Sequence, residues 1–182
     1  MRVISGSARR LNLVTPKGMS TRPTSDKVKE TLFNILAPDL YDARFLDLFA
    51  GSGGIGIEAL SRGSSYCAFV EKDKDAVSCI RKNLETTHLA DKAHVVPYDV
   101  LISVASLGNK RFDIVFMDPP YDQGLEKRTL ELLYRADIID NETLLIAEVS
   151  ISHDMSYVGD LGYEIVRIKE YKNNKHVFIR KV

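Results

Sequence analysis

A glycine-rich loop constrains the fold of this chain more than any other feature of its sequence. Gly51, Gly53 and Gly56 form a Gly-x-Gly-x-x-Gly pattern, which follows an apolar run at residues 45–50 and precedes a helical pattern at residues 54–62. Glycine permits tight turns and close backbone approach. The order of strand, loop and helix is typical of the first crossover unit of a doubly wound sheet.

The rest of the chain repeats this alternation of strand and helix. Apolar residues at three-to-four spacing predict helices at residues 74–88, 100–107 and 125–136. Short apolar runs predict further strands at residues 66–70, 93–96, 112–117 and 144–149. Such alternation favours an α/β fold in which helices cover both faces of a mostly parallel sheet.

The two ends of the chain depart from that alternation. Thr24 and Ser25 precede an amphipathic helix that Pro38 should close. Strand-like runs at residues 164–171 and 176–182 flank Asn173 and Asn174, which tolerate the positive φ of a tight turn. We therefore expect a seven-stranded, mostly parallel sheet that ends in an antiparallel hairpin.

The length of 182 residues, of which 45% are hydrophobic, supports one core. We expect a basic N-terminal extension at residues 1–23, folded as a hairpin on a single domain at residues 24–182. No apolar run approaches the roughly 20 residues of a membrane span, and the start lacks a signal-peptide core. We expect a soluble, cytoplasmic monomer. Cys67 and Cys79 lie in no metal-binding pattern, so neither a metal nor a disulfide is expected.

Basic residues are concentrated at both ends of the chain, although the formal net charge is zero. Residues 1–30 carry seven Lys/Arg against two Asp/Glu, and residues 164–182 carry six against two. Basic termini can arise without function, but they also suit contacts with nucleic-acid phosphates. Arg9 and Arg10 are the candidate phosphate-binding residues.

Acidic residues indicate which ligand the glycine loop binds. Glu71 follows Gly51 by twenty residues, a distance at which a carboxylate can accept both hydroxyls of a ribose. Asp47 would repel a pyrophosphate, whereas S-adenosylmethionine brings an ammonium and a sulfonium. With Gly51 and Gly53, these residues favour S-adenosylmethionine over a nicotinamide cofactor. Asp99 either binds the adenine amino group or caps a helix.

A second motif, Asp118-Pro119-Pro120-Tyr121, directly follows the predicted strand at residues 112–117. Two prolines end the strand and stiffen the backbone after it. In doubly wound sheets, ligands bind beyond the carboxyl ends of the strands, where the strand order reverses. We therefore expect this motif to face the glycine loop.

The residue types of this motif suit methylation of an exocyclic amine on a base. Such an amine needs hydrogen-bond acceptors that aim its lone pair, because that lone pair is delocalised into the ring. The Asp118 carboxylate and the Pro119 carbonyl can hold its two N–H groups. Tyr121 beside Pro120 can stack on an extruded base. The alternative is a simple proline turn with a surface tyrosine.

Residues 22–36, the loop at residues 45–58 and the motif at residues 118–121 resemble the RsmD-type 16S ribosomal RNA guanine-N2 methyltransferases. The resemblance runs from residue 2 to at least residue 148. It implies a class I, Rossmann-like fold with strand order 3-2-1-4-5-7-6. It also implies methyl transfer to N2 of guanine 966 in the small subunit or an assembly intermediate. Arg22 and Thr24 would help to hold the methionine end of the cofactor.

Other interpretations use the same residues. An N-methyltransferase could act on a DNA amine or on a glutamine amide, although Asp118 stands where glutamine-modifying enzymes usually have asparagine. A nicotinamide oxidoreductase and a non-catalytic RNA-binding module are further alternatives. The four histidines are expected to lie on the surface or in packing positions: His88, His94, His153 and His176. Glu148 lies near the predicted crevice, and its sequence context indicates no role for it.

Overall fold

The computed structural model describes residues 1–16, 25–108, 111–121 and 123–182. Within them, α-helices alternate with strands in the order that the sequence predicts. The elements are α1 (Asp26–Leu40), β1 (Arg44–Leu48), α2 (Gly54–Ser61), β2 (Tyr66–Val70), α3 (Lys74–Thr87), β3 (Ala93–Val96), α4 (Val100–Ser103), β4 (Ile114–Met117), α5 (Leu125–Arg135), β5 (Leu144–Ser150), β6 (Tyr163–Glu170) and β7 (Asn174–Lys181).

The strands form one seven-stranded sheet in the order β3-β2-β1-β4-β5-β7-β6. Strands β1 to β5 are parallel, whereas β7 is antiparallel to both β5 and β6. The expected class I fold with a C-terminal antiparallel hairpin is confirmed. Because the order runs outward in both directions from β1 and β4, a crevice lies between their carboxyl ends.

Each face of the sheet buries its own hydrophobic core. Alternate residues of a strand point to opposite faces, so Phe45 and Phe116 join helices α1, α2 and α3 on one face. Leu46 and Val115 join helices α4 and α5 on the other. Fully buried side chains on both faces fix the strand register, because a slip by one residue would exchange the two faces.

The first residues of the chain are held on helix α2 by the fully buried carboxylate of Glu58. Its oxygens accept hydrogen bonds from the backbone N–H groups of Ile4 and Ser5, at 2.8 and 2.9 Å. Arg62 and the buried Lys29 contribute cations at 2.7 and 3.3 Å. Burial lowers the pKa of Lys29, although Glu58 opposes this shift. The ion-paired Glu58 carboxylate therefore attaches the N-terminal extension to helix α2.

Residues 1–16 also fold back on themselves and contact the glycine loop. Arg2 and Asn12 form an antiparallel bridge. The side chain of Asn83 on α3 accepts from Val14 N–H at 2.8 Å and donates to Val14 O at 2.9 Å. The same amide nitrogen donates to Ser52 O at 3.0 Å. Asn83 thus links the extension to the glycine loop.

The expectation that Pro38 closes the first helix is wrong, because α1 continues to Leu40. Proline removes one backbone donor, but here the loss falls in the last turn of the helix. Leu36 and Leu40 lie four residues apart and are both buried against the core, so the packing of one helical face outweighs that loss.

The expected positive φ at Asn173 and Asn174 is also wrong. The non-glycine residues with positive φ in the described part of the chain are Arg10, Asp42, Phe49 and His88. The connection instead spans residues 171–173, and Tyr171 N–H donates to the O atom of Asn174, the first residue of β7, at 2.8 Å. A loop longer than two residues reverses the chain without a left-handed residue at each central position.

Candidate active site

The glycine loop begins where Asp47 on β1 turns its side chain under the first turn of α2. The Asp47 carboxylate is 2% exposed and accepts a hydrogen bond from Gly56 N–H at 2.8 Å. Gly51 and Gly53 have φ values of 55° and 81°. A Cβ atom on Gly56 would lie 2.3 Å from Phe69 Cε1. Glycines therefore allow both the turn and the close packing of α2 on β2.

Glu71, the predicted ribose acceptor, lies immediately beyond β2 and holds the glycine loop in place. Its Oε2 accepts from Gly51 N–H at 2.8 Å, and its Oε1 accepts from Asp73 N–H at 2.9 Å. Each carboxylate oxygen has a second lone pair. Glu71 can therefore bind ribose hydroxyls without releasing the loop.

Asp99 has the helix-capping role that the sequence left as one alternative. Its Oδ1 accepts from Leu101 N–H at 2.9 Å at the start of α4, and its Oδ2 lies 3.0 Å from Lys72 Nζ. Both interactions lower the pKa of Asp99, that of the Leu101 N–H most. The contact with an adenine amino group stays a prediction.

The strand register places the Asp118 motif beside the glycine loop. Met117, the last residue of β4, pairs with Leu48 of β1 on one side and with Ala147 of β5 on the other. Asp118 is the next residue, so it enters the crevice between the loop after β1 and Glu148 on β5. Pro119 is buried, whereas Tyr121 is 51% exposed. The structure thus brings both predicted motifs to one edge of the sheet.

Burial and mutual repulsion raise the pKa values of two carboxyl groups in this crevice, those of Asp118 and Asp47. Burial, with smaller contributions from Glu148 and Asp47, raises the pKa of Asp118 well above its usual range. Burial also raises the pKa of Asp47 to about 7. The pKa of Tyr121 rises to about 12 through burial and the nearby Asp118. A crevice with this electrostatic character favours a cationic ligand.

Sequence reasoning missed a buried polar network between β5 and β7. His176 is fully buried, and its Nε2 lies 3.0 Å from Glu148 Oε2. Tyr171 hydroxyl lies 3.1 Å from His176 Nδ1, and the Asn174 amide donates to Glu148 Oε1. His176 alternates with buried Phe178 along β7, a pattern that could have indicated its burial. The network therefore holds Glu148 in place, the residue of β5 that lies next to Asp118.

The remaining predicted residues belong to the N-terminal part of the chain. Arg22 and Thr24 fall outside the described residues. Arg9 and Arg10 are exposed, and Ala8 N–H beside them donates to the Ser61 hydroxyl at 3.0 Å, at the last residue of α2. Since α2 starts at the glycine loop, these arginines lie roughly one helix length, about 12 Å, from the crevice. They therefore lie away from the crevice, and their contact with RNA phosphates stays a prediction.

No helix in residues 25–108, 111–121 and 123–182 is long and apolar enough to cross a membrane. Across the same part of the chain and residues 1–16, no three side chains of the metal-binding types are grouped to hold an ion.

Comparisons with known proteins agree on one family. The family model described as Conserved hypothetical protein 95 matches residues 1–180. YlbH of Bacillus subtilis is 42% identical over 168 residues, which cover 88% of this chain and 89% of that protein. Ribosomal RNA small subunit methyltransferase D of Escherichia coli is 39% identical over 158 residues, covering 87% of this chain and 79% of that one.

A solved structure extends the agreement from sequence to fold. The Escherichia coli protein yhhF matches with a TM-score of 0.87 and 34% identity, over 100% of this chain and 97% of that chain. The family model, these relatives and this structure all cover the two motifs of the crevice. The chain therefore belongs to the Conserved hypothetical protein 95 family, the family of the RsmD ribosomal RNA methyltransferases.

Proposed function

We propose that this protein transfers a methyl group from S-adenosylmethionine to the exocyclic N2 amine of a guanine in small-subunit ribosomal RNA. The observation that carries the proposal is the pairing of Met117 with Leu48, which brings Asp118 next to the loop after Asp47. Guanine 966, which the family resemblance implies, is the proposed target. The substrate is the small subunit or an assembly intermediate.

The cofactor site is formed by the glycine loop and the ends of β2 and β3. Glu71 accepts the ribose hydroxyls, and Asp99 faces the adenine amino group. Gly51 and Gly53 admit the cofactor backbone, and the buried Asp47 offsets its positive charge. Arg22 and Thr24 hold its methionine end. S-adenosylmethionine supplies an electrophilic methyl group on a sulfonium.

The residues after β4 orient the amine that accepts this methyl group. The Asp118 carboxylate and the Pro119 carbonyl accept its two N–H bonds, so the nitrogen lone pair points away from both. The raised pKa of Asp118 makes it a better proton acceptor than an ordinary carboxylate. It takes the proton that the methylated amine releases. Tyr121, half exposed, offers a ring for stacking of the extruded guanine.

Identification of the methylated nucleoside tests this proposal. Small subunits from cells that lack the activity are incubated with the protein and labelled S-adenosylmethionine, and the RNA is then digested. We expect the label in N2-methylguanosine. Label only in N6-methyladenine, or only in protein, would refute the proposed target and favour another amine or a glutamine amide.

A variant of Asp118 tests the catalytic assignment separately. Asp118→Ala should keep its affinity for S-adenosylmethionine but transfer methyl groups at least about 100-fold more slowly, because it loses an oriented acceptor. Asp137→Ala, at an exposed position beyond the far end of α5, is the matched control and should behave as the wild type. Unchanged transfer by Asp118→Ala would remove Asp118 from the mechanism.

A further inference from the structure

A small pocket adjoins the Asp118 motif on the side away from the glycine loop. Its walls come from the loop after β4, the first turn of α5 and the end of β5. They include two carboxylates as well as the base-stacking tyrosine: Pro119, Tyr121, Glu126, Glu148, Ser150 and His153. Glu126 and Glu148 are only 4% and 5% exposed. The site for the reacting amine therefore continues into a pocket with two buried acidic side chains.

The two carboxylates differ in the partners that they already have. Glu148 is engaged on both oxygens, by the Asn174 amide and by His176 Nε2. In the described part of the chain, no donor is hydrogen-bonded to the Glu126 side chain. His153 Nε2 lies 3.0 Å from Glu126 Oε1, but the two are not aligned for a hydrogen bond. Glu126 thus offers an unused acceptor inside the pocket.

Helix α5 fixes the position of this acceptor. Glu126 is the second residue of the helix, where the helix dipole stabilises a negative charge. Leu130 and Leu133 are fully buried against the sheet and prevent the helix from moving away. A ligand that brings a hydrogen-bond donor into the pocket can therefore pair with this carboxylate.

The ring position next to the reacting amine distinguishes guanine from the other bases. In guanine, N2 is flanked by N1–H, which is a donor. In adenine and cytosine, the ring nitrogen next to the exocyclic amine carries a lone pair instead. An acceptor beside the amine site therefore favours guanine, and it repels the lone pair of either competitor.

We propose that Glu126 selects guanine by accepting its N1–H while Asp118 and Pro119 hold the N2 amine. The inference rests on the proposed function, since it assigns the base specificity of the same site. Adenine at this position would put its N1 lone pair against the buried Glu126 carboxylate. The site discriminates by this repulsion as well as by the hydrogen bond to guanine.

The test replaces the methylated guanine with 2-aminopurine in reconstituted small subunits. 2-Aminopurine keeps the reacting amine but carries a lone pair at N1. We expect wild-type protein to prefer guanine by about tenfold to a hundredfold in kcat/KM. 2-Aminopurine loses the hydrogen bond from N1–H, and one such bond at a base edge discriminates between bases by about this factor. Glu126→Gln should reduce this preference by about tenfold, because its amide can donate to the N1 lone pair.

Glu131→Gln is the matched control, because Glu131 lies on the same helix but outside the pocket. It should keep the wild-type preference. Affinity for S-adenosylmethionine and the thermal unfolding midpoint show whether Glu126→Gln is folded. A folded Glu126→Gln with an unchanged preference would overturn the inference. If that variant does not fold, the deciding measurement is the wild-type ratio of kcat/KM for guanine to kcat/KM for 2-aminopurine. A ratio below about twofold overturns the inference. Failure of the wild type to methylate guanine would instead refute the proposed function.

Discussion

The Nε2 atom of His176 lies 3.0 Å from Oε2 of Glu148, and both side chains are buried between β5 and β7. Glu148 occupies the position on β5 that follows Ala147, the partner of Met117, so it stands beside Asp118. The antiparallel hairpin therefore supports the candidate active site, although none of its residues belongs to either motif. His176 also contacts Phe116 edge-on, with a ring distance of 5.9 Å.

Removal of the His176 imidazole should destabilise the fold. His176→Leu leaves the buried Glu148 carboxylate with one partner fewer, so we expect the free energy of unfolding to fall by about 1–3 kcal/mol. Urea denaturation measures the change. His94→Leu, the same substitution at an exposed position on β3, should have little effect. Equal losses in both variants would show that the Glu148 contact contributes nothing.

The buried Asp47 should make the stability of the free protein depend on pH. Because burial raises its pKa in the folded state to about 7, the folded protein binds the Asp47 proton more tightly than the unfolded chain does. The stabilisation that results is complete below about pH 4 and is lost as the pH rises through about 7. Asp47→Asn removes the ionisation and can still accept from Gly56 N–H. We expect the free energy of unfolding of the variant, relative to that of the wild type, to be up to about 4 kcal/mol higher at pH 8 than at pH 4. Each pKa unit corresponds to about 1.4 kcal/mol.

Urea denaturation at several pH values measures this difference. Asp137→Asn at an exposed position controls for the substitution itself. A gain that is the same at both pH values, or as large in the control, would argue against a raised pKa at Asp47. A more stable Asp47→Asn that binds S-adenosylmethionine more weakly would show that the buried charge serves the cofactor.

The exposed Arg9 and Arg10 should contribute to RNA binding through phosphates and not through the base. Arg9→Ala with Arg10→Ala should weaken binding of small-subunit RNA and lower the slope of log affinity against log salt by up to about two units. Affinity measured over a range of salt concentrations tests this. The control pairs Lys92→Ala with Arg135→Ala, two exposed basic residues outside the N-terminal extension. An unchanged slope would mean that the basic extension does not contact RNA.

Sequence patterns predicted the fold and both motifs because these depend on local order along the chain. Strands β2 and β3 begin and end at the predicted residues, and α2 and α3 end one residue early. Errors arose where a local preference competed with packing. Pro38 should end a helix, but buried Leu40 keeps the last turn in place.

Two contacts between side chains near the crevice could not be predicted from local order along the chain. Glu148 and His176 are 28 residues apart in the chain and meet because β7 inserts antiparallel beside β5. Glu126 and His153 come together because α5 and the end of β5 both reach the Asp118 motif. The alternation of His176 with Phe178 could indicate that His176 is buried, but no local pattern identifies the partner of a single His or Glu.

The sequence alone determined the alternation of strands and helices, the glycine loop and the turn of Asp118 to Tyr121, since each follows from the backbone preferences of adjacent residues. Tertiary structure alone decided which charged groups share the crevice, that Arg9 and Arg10 lie outside it, and that Glu126 faces the pocket. The physical reason is that burial and long-range contacts set the pKa, the free acceptors and the distances of these groups. Those quantities depend on how strands distant in the chain pair.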